Sequence, residues 1–322
     1  MSNLLRRHPD ILSLSEVFTS FTTRAFPARQ LDGDAFWEML GRCSPVLRKS
    51  ITPQTSPIEF TYPFGPDADY HMDNLPACLM MTLPHLSTNP DQLYKELEPV
   101  IRAQPKRPLE GQYRFWFDWM TTHLDKKIWI ERYGTSLSML KSINRMFPDA
   151  KFVHIHRDGH ETALSMQAFE PMRVFMHMRR RLKLIGIDIM RTPFRYSDSL
   201  IVNTFAPIIE RVVPANAYLK QTPTLEQAGR FWSDMVDVGL ADLAPIDPER
   251  IHTMRYCDLV DAPRETLSQF IDFAFPGGSH KAWLDEASEI PQRRPSKWDA
   301  LSASEQTRLA GACATGMTLL GY

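Results

Sequence analysis

Residues 127–165 read KIWIERYGTSLSMLKSINRMFPDAKFVHIHRDGHETALS, and this stretch decides the fold. Its first segment, 127–132, is typical of a buried strand, and apolar residues then recur at helical spacing, at Leu137, Leu140, Ile143 and Phe147. A second strand is predicted over 151–157, after which Asp158-Gly159 turns the chain into another helix. Strand, helix, strand and helix in one short stretch indicate a βαβα unit with parallel pairing.

Outward from this unit, residues 250–256 predict one more strand of the same sheet, followed by a helix over 261–274. Residues 11–17 alternate apolar and polar, as a short half-buried strand or the approach to one does. Two long segments, about 52–125 and 166–245, are predicted to be mainly helical coverings. At the carboxyl end, Ser302-Ala303-Ser304-Glu305 is a capping box that opens a helix. We therefore predict an α/β fold in a single domain spanning 1–322.

Composition narrows the class of protein. The chain has 322 residues, 43% of them hydrophobic, and a net charge of -1, which is typical of a globular protein and excludes a fibrous or disordered chain. No apolar run is long enough for a membrane span, and residues 1–7 lack a secretory signal. The four cysteines show no CxxC spacing, which predicts neither a zinc knuckle nor a disulfide framework and favours a cytoplasmic location. Near-neutral charge predicts no nucleic-acid partner.

The chemistry is predicted to lie in the segment from Arg157 to Ser165. An Arg at the carboxyl end of a parallel strand and a Ser farther along the next helix can face one anion, and ligands bind at such strand ends. Arg supplies a planar fork of donors, Ser a hydroxyl, and the helix start a partial positive charge, so the group bound would be a phosphate. On spacing alone, an Arg that caps a carboxylate and a Ser on a solvated helix face explain the pattern equally well.

At this point the residues resemble a known family. Phe147-Pro148-Asp149-Ala150-Lys151-Phe152, running into 157–165, is similar to the sulfotransferases that use 3′-phosphoadenosine-5′-phosphosulfate (PAPS). Further segments follow in the order seen in tyrosylprotein sulfotransferase-like and bacterial members: His8-Pro9-Asp10 leading to Glu16, the strand ending at Arg132, 255–259, Ser296-Lys297-Trp298 and Leu320-Gly321-Tyr322. Coverage is nearly end to end, with weak matches over 45–125 and 166–245.

The resemblance implies a three-layer fold related to P-loop nucleotide kinases, in which helices flank a parallel sheet and the nucleotide crosses the strand ends. It also implies that Arg157 and Ser165 bind the 3′-phosphate. Tyr256 stands where the family places a Tyr next to the nucleotide, and Lys297 stands where a carboxy-terminal Lys reaches the phosphate.

The resemblance further implies two catalytic residues. Glu16 resembles the general base that takes the proton from an acceptor hydroxyl. Arg132 occupies the place where many relatives have a Lys that stabilises the leaving group; Arg cannot donate a proton near neutral pH but can stabilise negative charge. Taken alone, Glu16 would be interpreted as a surface or capping residue, and Arg132 as a strand-end Arg paired with Glu131 or a nearby Asp.

The front of the chain departs from the family. Relatives open with a strand and a Pro-Arg-Ser-Gly-Thr-Thr type loop that wraps the 5′-phosphosulfate, whereas residues 1–7 resemble the helix after that loop, and no Gly-rich phosphate loop occurs elsewhere. Two explanations fit. Either the start Met was chosen too late or the chain was truncated, which we favour, or the chain is a natural relative that has lost transfer activity.

These observations predict a sulfotransferase that moves a sulfuryl group from PAPS to a small-molecule or peptide hydroxyl, releasing the 3′,5′-bisphosphate. The alternative is a non-catalytic nucleotide-binding or scaffold protein of the same fold. His154 and His156 share one strand face but have no third ligand at useful spacing, so no metal is predicted. The sequence leaves the acceptor and the oligomeric state open.

Overall fold

The computed structural model describes residues 1–21, 25–27, 29–43, 48, 60–134, 136–191 and 214–322. Within the two predicted helical coverings, 52–59 and 192–213 lie outside the described residues. Elsewhere the chain is a helix-rich α/β structure with short parallel sheets.

Four strands form among the described residues, and every pairing between them is parallel. β1 (Ile11–Ser15) pairs with β2 (Ile128–Arg132), in a register that sets Ser15 opposite Arg132. β3 (Phe152–His156) pairs with β4 (Ile251–Arg255), with His156 opposite Arg255. Parallel pairing brings the carboxyl ends of both strands of a pair to the same edge, so the residues just after them become neighbours.

Helices make up most of the remaining regular structure. In chain order they are α1 (Ser2–Leu5), α2 (Val17–Phe21), α3 (Gly33–Gly41), α4 (Thr82–Leu86), α5 (Pro90–Arg102), α6 (Leu109–His123), α7 (Leu140–Met146), α8 (Gly159–Ala168), α9 (Glu170–Lys183), α10 (Ala215–Leu219), α11 (Leu225–Leu243), α12 (Tyr256–Asp261), α13 (Pro263–Ala274), α14 (Lys281–Ala287) and α15 (Ala303–Leu320). Short 3-10 helices cover Ala77–Leu79, Ser136–Met139, Pro248–Arg250 and Trp298–Ala300. The capping box predicted at Ser302 and Glu305 is confirmed at the start of α15.

The strands form two separate pairs in the described part of the chain, not the one continuous sheet that was predicted. β2 pairs with β1 along one edge, and β3 pairs with β4 along one edge. The other edges of β2 and β3 have no strand partner among the described residues. Every residue of β2 is accordingly only partly buried. The βαβα pattern therefore predicted parallel pairing correctly but not the partners.

Both pairs nevertheless contribute to one hydrophobic core. The strand residues in it share branched or long apolar side chains: Ile11 from β1, Ile128 and Ile130 from β2, Val153 and Ile155 from β3, and Met254 from β4. α1 and α13 cover the same cluster with Leu4, Leu5, Phe270 and Ile271. Packing against common helices therefore holds the two strand pairs around one interior.

β1 is buried at every residue, although its alternating sequence predicted a half-buried strand. The polar positions are buried because each has a partner. The Ser13 hydroxyl lies 3.4 Å from His85 Nε2 on α4, and the Ser15 hydroxyl accepts from Arg132 at 2.8 Å. Hydrogen-bonded serines tolerate burial, so alternation predicted the wrong exposure here.

A histidine pair fixes the amino-terminal His-Pro-Asp segment. The amide of Asp10 donates to His8 Nδ1, His8 Nε2 lies 3.0 Å from His280 Nδ1, and His280 Nε2 lies 2.8 Å from the Phe275 carbonyl. Two neutral rings, each donating through Nε2, satisfy this chain of contacts. Burial and the neighbouring His280 lower the pKa of His8 to about 4, which keeps the ring neutral at pH 7.

The start of α8 is positioned by a buried tryptophan. The Trp232 indole of α11 is 3% exposed and lies against Gly159 and Gly316. A Cβ added at Gly159 would lie 2.2 Å from this indole, and one at Gly316 would lie 2.6 Å from it. Both glycines are therefore required by close packing, and they fix α8 against α11 and α15.

We predict that Gly159→Ala destabilises the protein and that Gly311→Ala stabilises it. The first forces a methyl group into the indole, which typically costs about 1–3 kcal/mol. The second adds a methyl group to α15 at a position where, apart from the helix's own backbone, no atom lies within 4 Å. The higher helix propensity of Ala should therefore stabilise the protein by roughly 0.5–1 kcal/mol. Urea unfolding of both variants measures the difference, and equal effects would contradict this packing of α8.

Candidate functional site

The first candidate cluster lies at the carboxyl ends of β3 and β4. Arg157 follows β3 and Tyr256 follows β4, and the parallel register brings them together. The Arg157 guanidinium lies over the Tyr256 ring, 5.3 Å from its centroid, which is a cation–π contact. Two residues predicted to contact the nucleotide, about a hundred positions apart in the sequence, are thus neighbours because of strand pairing.

α8 carries the next part of this cluster. Asp158 caps the helix by accepting from the amide of Glu161 at 3.0 Å. Glu161 and Ser165 are four residues apart within α8 and therefore share one of its faces. Arg157 lies just before the cap and donates to Glu161 at 3.2 Å.

The carboxy-terminal segment completes the cluster. Lys297 Nζ donates to the Ser165 hydroxyl at 3.3 Å, so the Lys predicted to reach a phosphate lies against the Ser predicted to bind it. Trp298 packs on the His160 ring with centroids 4.3 Å apart. The four predicted nucleotide contacts, Arg157, Ser165, Tyr256 and Lys297, therefore form two contacting pairs joined by α8.

Glu161 connects these pairs and was not singled out from the sequence. Its Oε1 accepts from the Ser296 hydroxyl at 2.8 Å and from the Trp298 amide at 3.0 Å, and its Oε2 accepts from Arg157 at 3.2 Å. Burial alone would raise the pKa of this carboxyl, but the donated hydrogen bonds and Arg157 outweigh it and lower the pKa. Its position four residues after Arg157 was the available signal.

The second cluster lies at the carboxyl ends of β1 and β2, where Glu16 and Arg132 meet. Arg132 lies 3.3 Å from Glu16 Oε1, so the strand-end Arg pairs with a carboxylate that is distant in the sequence. Glu16 Oε1 also accepts from the amide of Gly134 at 3.0 Å, and Oε2 accepts from the Thr19 hydroxyl at 2.5 Å. Glu16 is 8% exposed, so it is not a surface residue, and from its place directly before α2 its carboxylate contacts both α2 and the segment after β2.

The backbone of Glu16 is strained. Its φ is 56°, in the left-handed region that residues with a side chain seldom adopt. The turn is held by the amide of Glu16, which donates to the carbonyl of Arg132 at 2.8 Å. Strain of this kind is found where the surrounding contacts fix a side chain in place, and here it aims the carboxylate at the end of β2.

Glu131 lies beside this pair. Its Oε1 is buried and has no hydrogen-bond partner in the described part of the chain. Burial, and then the nearby Glu16 carboxylate, raise the pKa of Glu131 from its usual 4.5 to about 8. Two carboxyl groups so close are not both ionised at neutral pH, and the buried one keeps its proton.

The described residues contain neither a cluster of metal ligands nor a membrane-spanning helix. No group of three or more His, Cys, Asp or Glu side chains there is arranged to hold a metal ion. The rings of His154 and His156 lie 5.4 Å apart, and burial lowers the pKa of His154 to about 4. No helix in the described ranges is both long enough and apolar enough to cross a bilayer.

Similarity to known proteins is found at the level of structure. No family model matches the chain, and no curated protein matches it. Among solved structures, the chain is similar to the sulfotransferase domain from the curacin biosynthetic pathway, at 17% identity and a TM-score of 0.32, over 96% of this chain and 98% of that one. At this identity and TM-score, the similarity carries no information about activity.

We predict that Glu131→Gln changes how stability depends on pH. Between pH 4.5 and 8 the unfolded wild-type chain loses the Glu131 proton while the folded chain keeps it, so the free energy of unfolding falls as pH rises. The limiting slope is about 1.4 kcal/mol per pH unit. The variant lacks this contribution. Its free energy of unfolding, relative to that of the wild type, should therefore increase from pH 5 to pH 8.

Urea unfolding at pH 5 and pH 8 measures this effect. The exposed Glu265→Gln serves as the control, since its carboxyl lies on the surface of α13. If the Glu131→Gln and wild-type stabilities keep a constant difference across this range, the buried carboxyl is not protonated as described.

Proposed function

We propose that this protein is a cytoplasmic sulfotransferase that transfers the sulfuryl group of PAPS to a hydroxyl of a small molecule or peptide. The observation that carries the proposal is the assembly of Arg157, Ser165, Tyr256 and Lys297 at the end of one strand pair. These residues come from three distant segments. Two cations, a hydroxyl and an aromatic ring in contact suit a phosphorylated nucleotide better than a neutral ligand.

In this proposal the first cluster binds the 3′-phosphate. Arg157 supplies further guanidinium donors beyond the one used by Glu161, and Lys297 adds a second positive charge beside the Ser165 hydroxyl. The start of α8 adds partial positive charge to the same place. Each charge-assisted hydrogen bond to a phosphate is worth about 1.5–3 kcal/mol, enough for two or three to select a 3′-phosphorylated nucleotide.

The second cluster is proposed to carry the chemistry. Glu16 takes the proton of the acceptor hydroxyl as its oxygen attacks sulfur and the bond from sulfur to the bridging phosphate oxygen breaks. Arg132 stabilises the negative charge that develops on the departing 3′,5′-bisphosphate. The ion pair between Glu16 and Arg132 supports this assignment because it holds a base and a cation side by side in a nearly buried site.

The proposal includes a single 1–322 domain with one three-layer sheet. β2 and β3 each have an edge without a strand partner in the described ranges, and both contribute side chains to one core. Isolated two-stranded parallel sheets are rarely stable, because parallel strands normally lie within larger buried sheets. One further parallel strand between β2 and β3 would join the pairs into the sheet that the family resemblance implies.

We predict that Arg157→Ala weakens binding of adenosine 3′,5′-bisphosphate by about 10- to 100-fold, because it removes charge-assisted bonds to the phosphate. Isothermal titration calorimetry measures the affinity. Arg264→Ala is the matched control, since Arg264 is a half-exposed Arg that pairs with Asp285 away from both clusters. Unchanged affinity in Arg157→Ala would refute the nucleotide site.

We predict that Glu16→Gln lowers the rate of sulfuryl transfer by about 100-fold or more while adenosine 3′,5′-bisphosphate still binds, because general-base catalysis is lost and the first cluster is untouched. Transfer of radiolabelled sulfate from PAPS to a panel of hydroxyl acceptors measures the rate. A wild-type protein that binds the bisphosphate but transfers sulfate to none of these acceptors would support the non-catalytic alternative.

A further inference from the structure

The segment that carries Lys297 is an irregular loop. Residues 291–297 form no helix or strand, and 292–297 are exposed. A loop of this kind holds a side chain in place only where specific contacts fix it. Within it, Ser296 forms a local turn in which its hydroxyl accepts from the Asp299 amide at 3.1 Å. The position of Lys297 therefore depends on how this turn is attached to the rest of the protein.

Glu161 is the attachment point. One carboxylate oxygen accepts from both the Ser296 hydroxyl and the Trp298 amide, the two residues that flank Lys297. The other oxygen accepts from Arg157. One ionised carboxylate thus ties the loop and the strand-end Arg to the same turn of α8.

We propose that Glu161 is a positioning residue. It holds Lys297 against Ser165 and holds Arg157 at the strand end, and selection for the 3′-phosphate depends on both contacts. This inference rests on the proposed function and deepens it. Glu161 does not touch the nucleotide. It acts through Lys297 and Arg157, which do. Loss of Glu161 therefore reduces the affinity for nucleotides with a 3′-phosphate and leaves the affinity for nucleotides without a 3′-phosphate unchanged.

The charge of Glu161 is compatible with an anion site because Arg157 offsets it and two neutral donors also bind the carboxylate. Both oxygens accept hydrogen bonds from the loop or from Arg157, and the side chain is only 12% exposed. An incoming phosphate therefore meets Lys297 and the remaining guanidinium donors before it meets this carboxylate. The same arrangement keeps Arg157 ordered when no nucleotide is bound.

Three variants separate the two attachments. Glu161→Ala removes both. Glu161→Gln keeps an oxygen that can accept from the loop, but it removes the negative charge that faces Arg157. Ser296→Ala removes one loop bond and leaves Arg157 unchanged. Glu265→Ala is the matched control, because Glu265 is the third residue of α13 as Glu161 is of α8, so the helix-terminus effect is the same in both.

The first readout needs no nucleotide. Hydrogen–deuterium exchange of the peptide covering 291–300 reports the loop attachment directly. We expect faster exchange there in Glu161→Ala, an intermediate rate in Ser296→Ala, and wild-type rates in Glu265→Ala, with thermal unfolding confirming that each variant folds. Wild-type exchange in Glu161→Ala would overturn the inference.

The second readout compares two ligands by calorimetry, adenosine 3′,5′-bisphosphate and adenosine 5′-monophosphate. We expect Glu161→Ala to bind the bisphosphate at least about tenfold more weakly, with unchanged affinity for the monophosphate. We expect a smaller loss in Glu161→Gln. Equal losses for both ligands, or no loss, would overturn the positioning role.

The two readouts distinguish this inference from the proposed function. If the wild-type protein does not bind the bisphosphate, both the function and the positioning role are wrong, whatever the loop does. If the wild type binds it and Arg157→Ala does not, but Glu161→Ala binds it normally, the function stands and the positioning role alone is wrong.

Discussion

The register of β3 against β4 is the constraint on which the rest of the first site depends. Because His156 is set opposite Arg255, the next residue of each strand leaves the sheet at the same edge, and Arg157 meets Tyr256. α8 starts directly after Arg157 and can start there only because Gly159 leaves room for the Trp232 indole. A slip of one residue in this register would turn Arg157 to the opposite face and separate it from Tyr256. Packing of the Trp232 indole against Gly159 thus helps to fix the position of Arg157, two residues earlier.

The second site follows the same rule at the other strand pair. Ser15 is set opposite Arg132, so the residue after β1, Glu16, comes directly beside the last residue of β2. The left-handed backbone of Glu16 costs free energy, and the amide, hydroxyl and guanidinium donors around its carboxylate offset that cost. In both sites an Arg at a strand end meets a carboxylate. At the second site the two residues come from the ends of two paired strands, whereas at the first site Glu161 follows Arg157 by four residues in the same segment.

Local patterns predicted the elements, and long-range packing decided their partners. The strand segments, the helix after Asp158 and the capping box at Ser302 could be read from the sequence because each depends on residues a few positions apart. The division of the strands into two pairs could not, because both β2 and β3 have the same apolar pattern whichever neighbour they take. Burial of Ser13 and Ser15 was missed because His85 and Arg132, which satisfy them, are distant in the sequence. The resemblance brought Arg157 and Lys297 into one hypothesis, but Glu161 emerges only from the contacts that join them.

Two of the three proposed cations, Arg132 and Arg157, are paired with carboxylates, and this bears on how the proposed reaction would begin. Their side chains are only 23% and 32% exposed, and Glu16 and Glu161 stabilise the partly desolvated guanidinium groups. The two carboxylates differ in what an incoming nucleotide does to them. In the proposed reaction Glu161 would keep its loop donors, whereas Glu16 would lose part of its Arg132 contact if Arg132 turned toward the leaving phosphate. A carboxylate that loses a cation becomes a stronger base. Binding of the donor would therefore raise the basicity of Glu16 at the moment when an acceptor proton has to be removed.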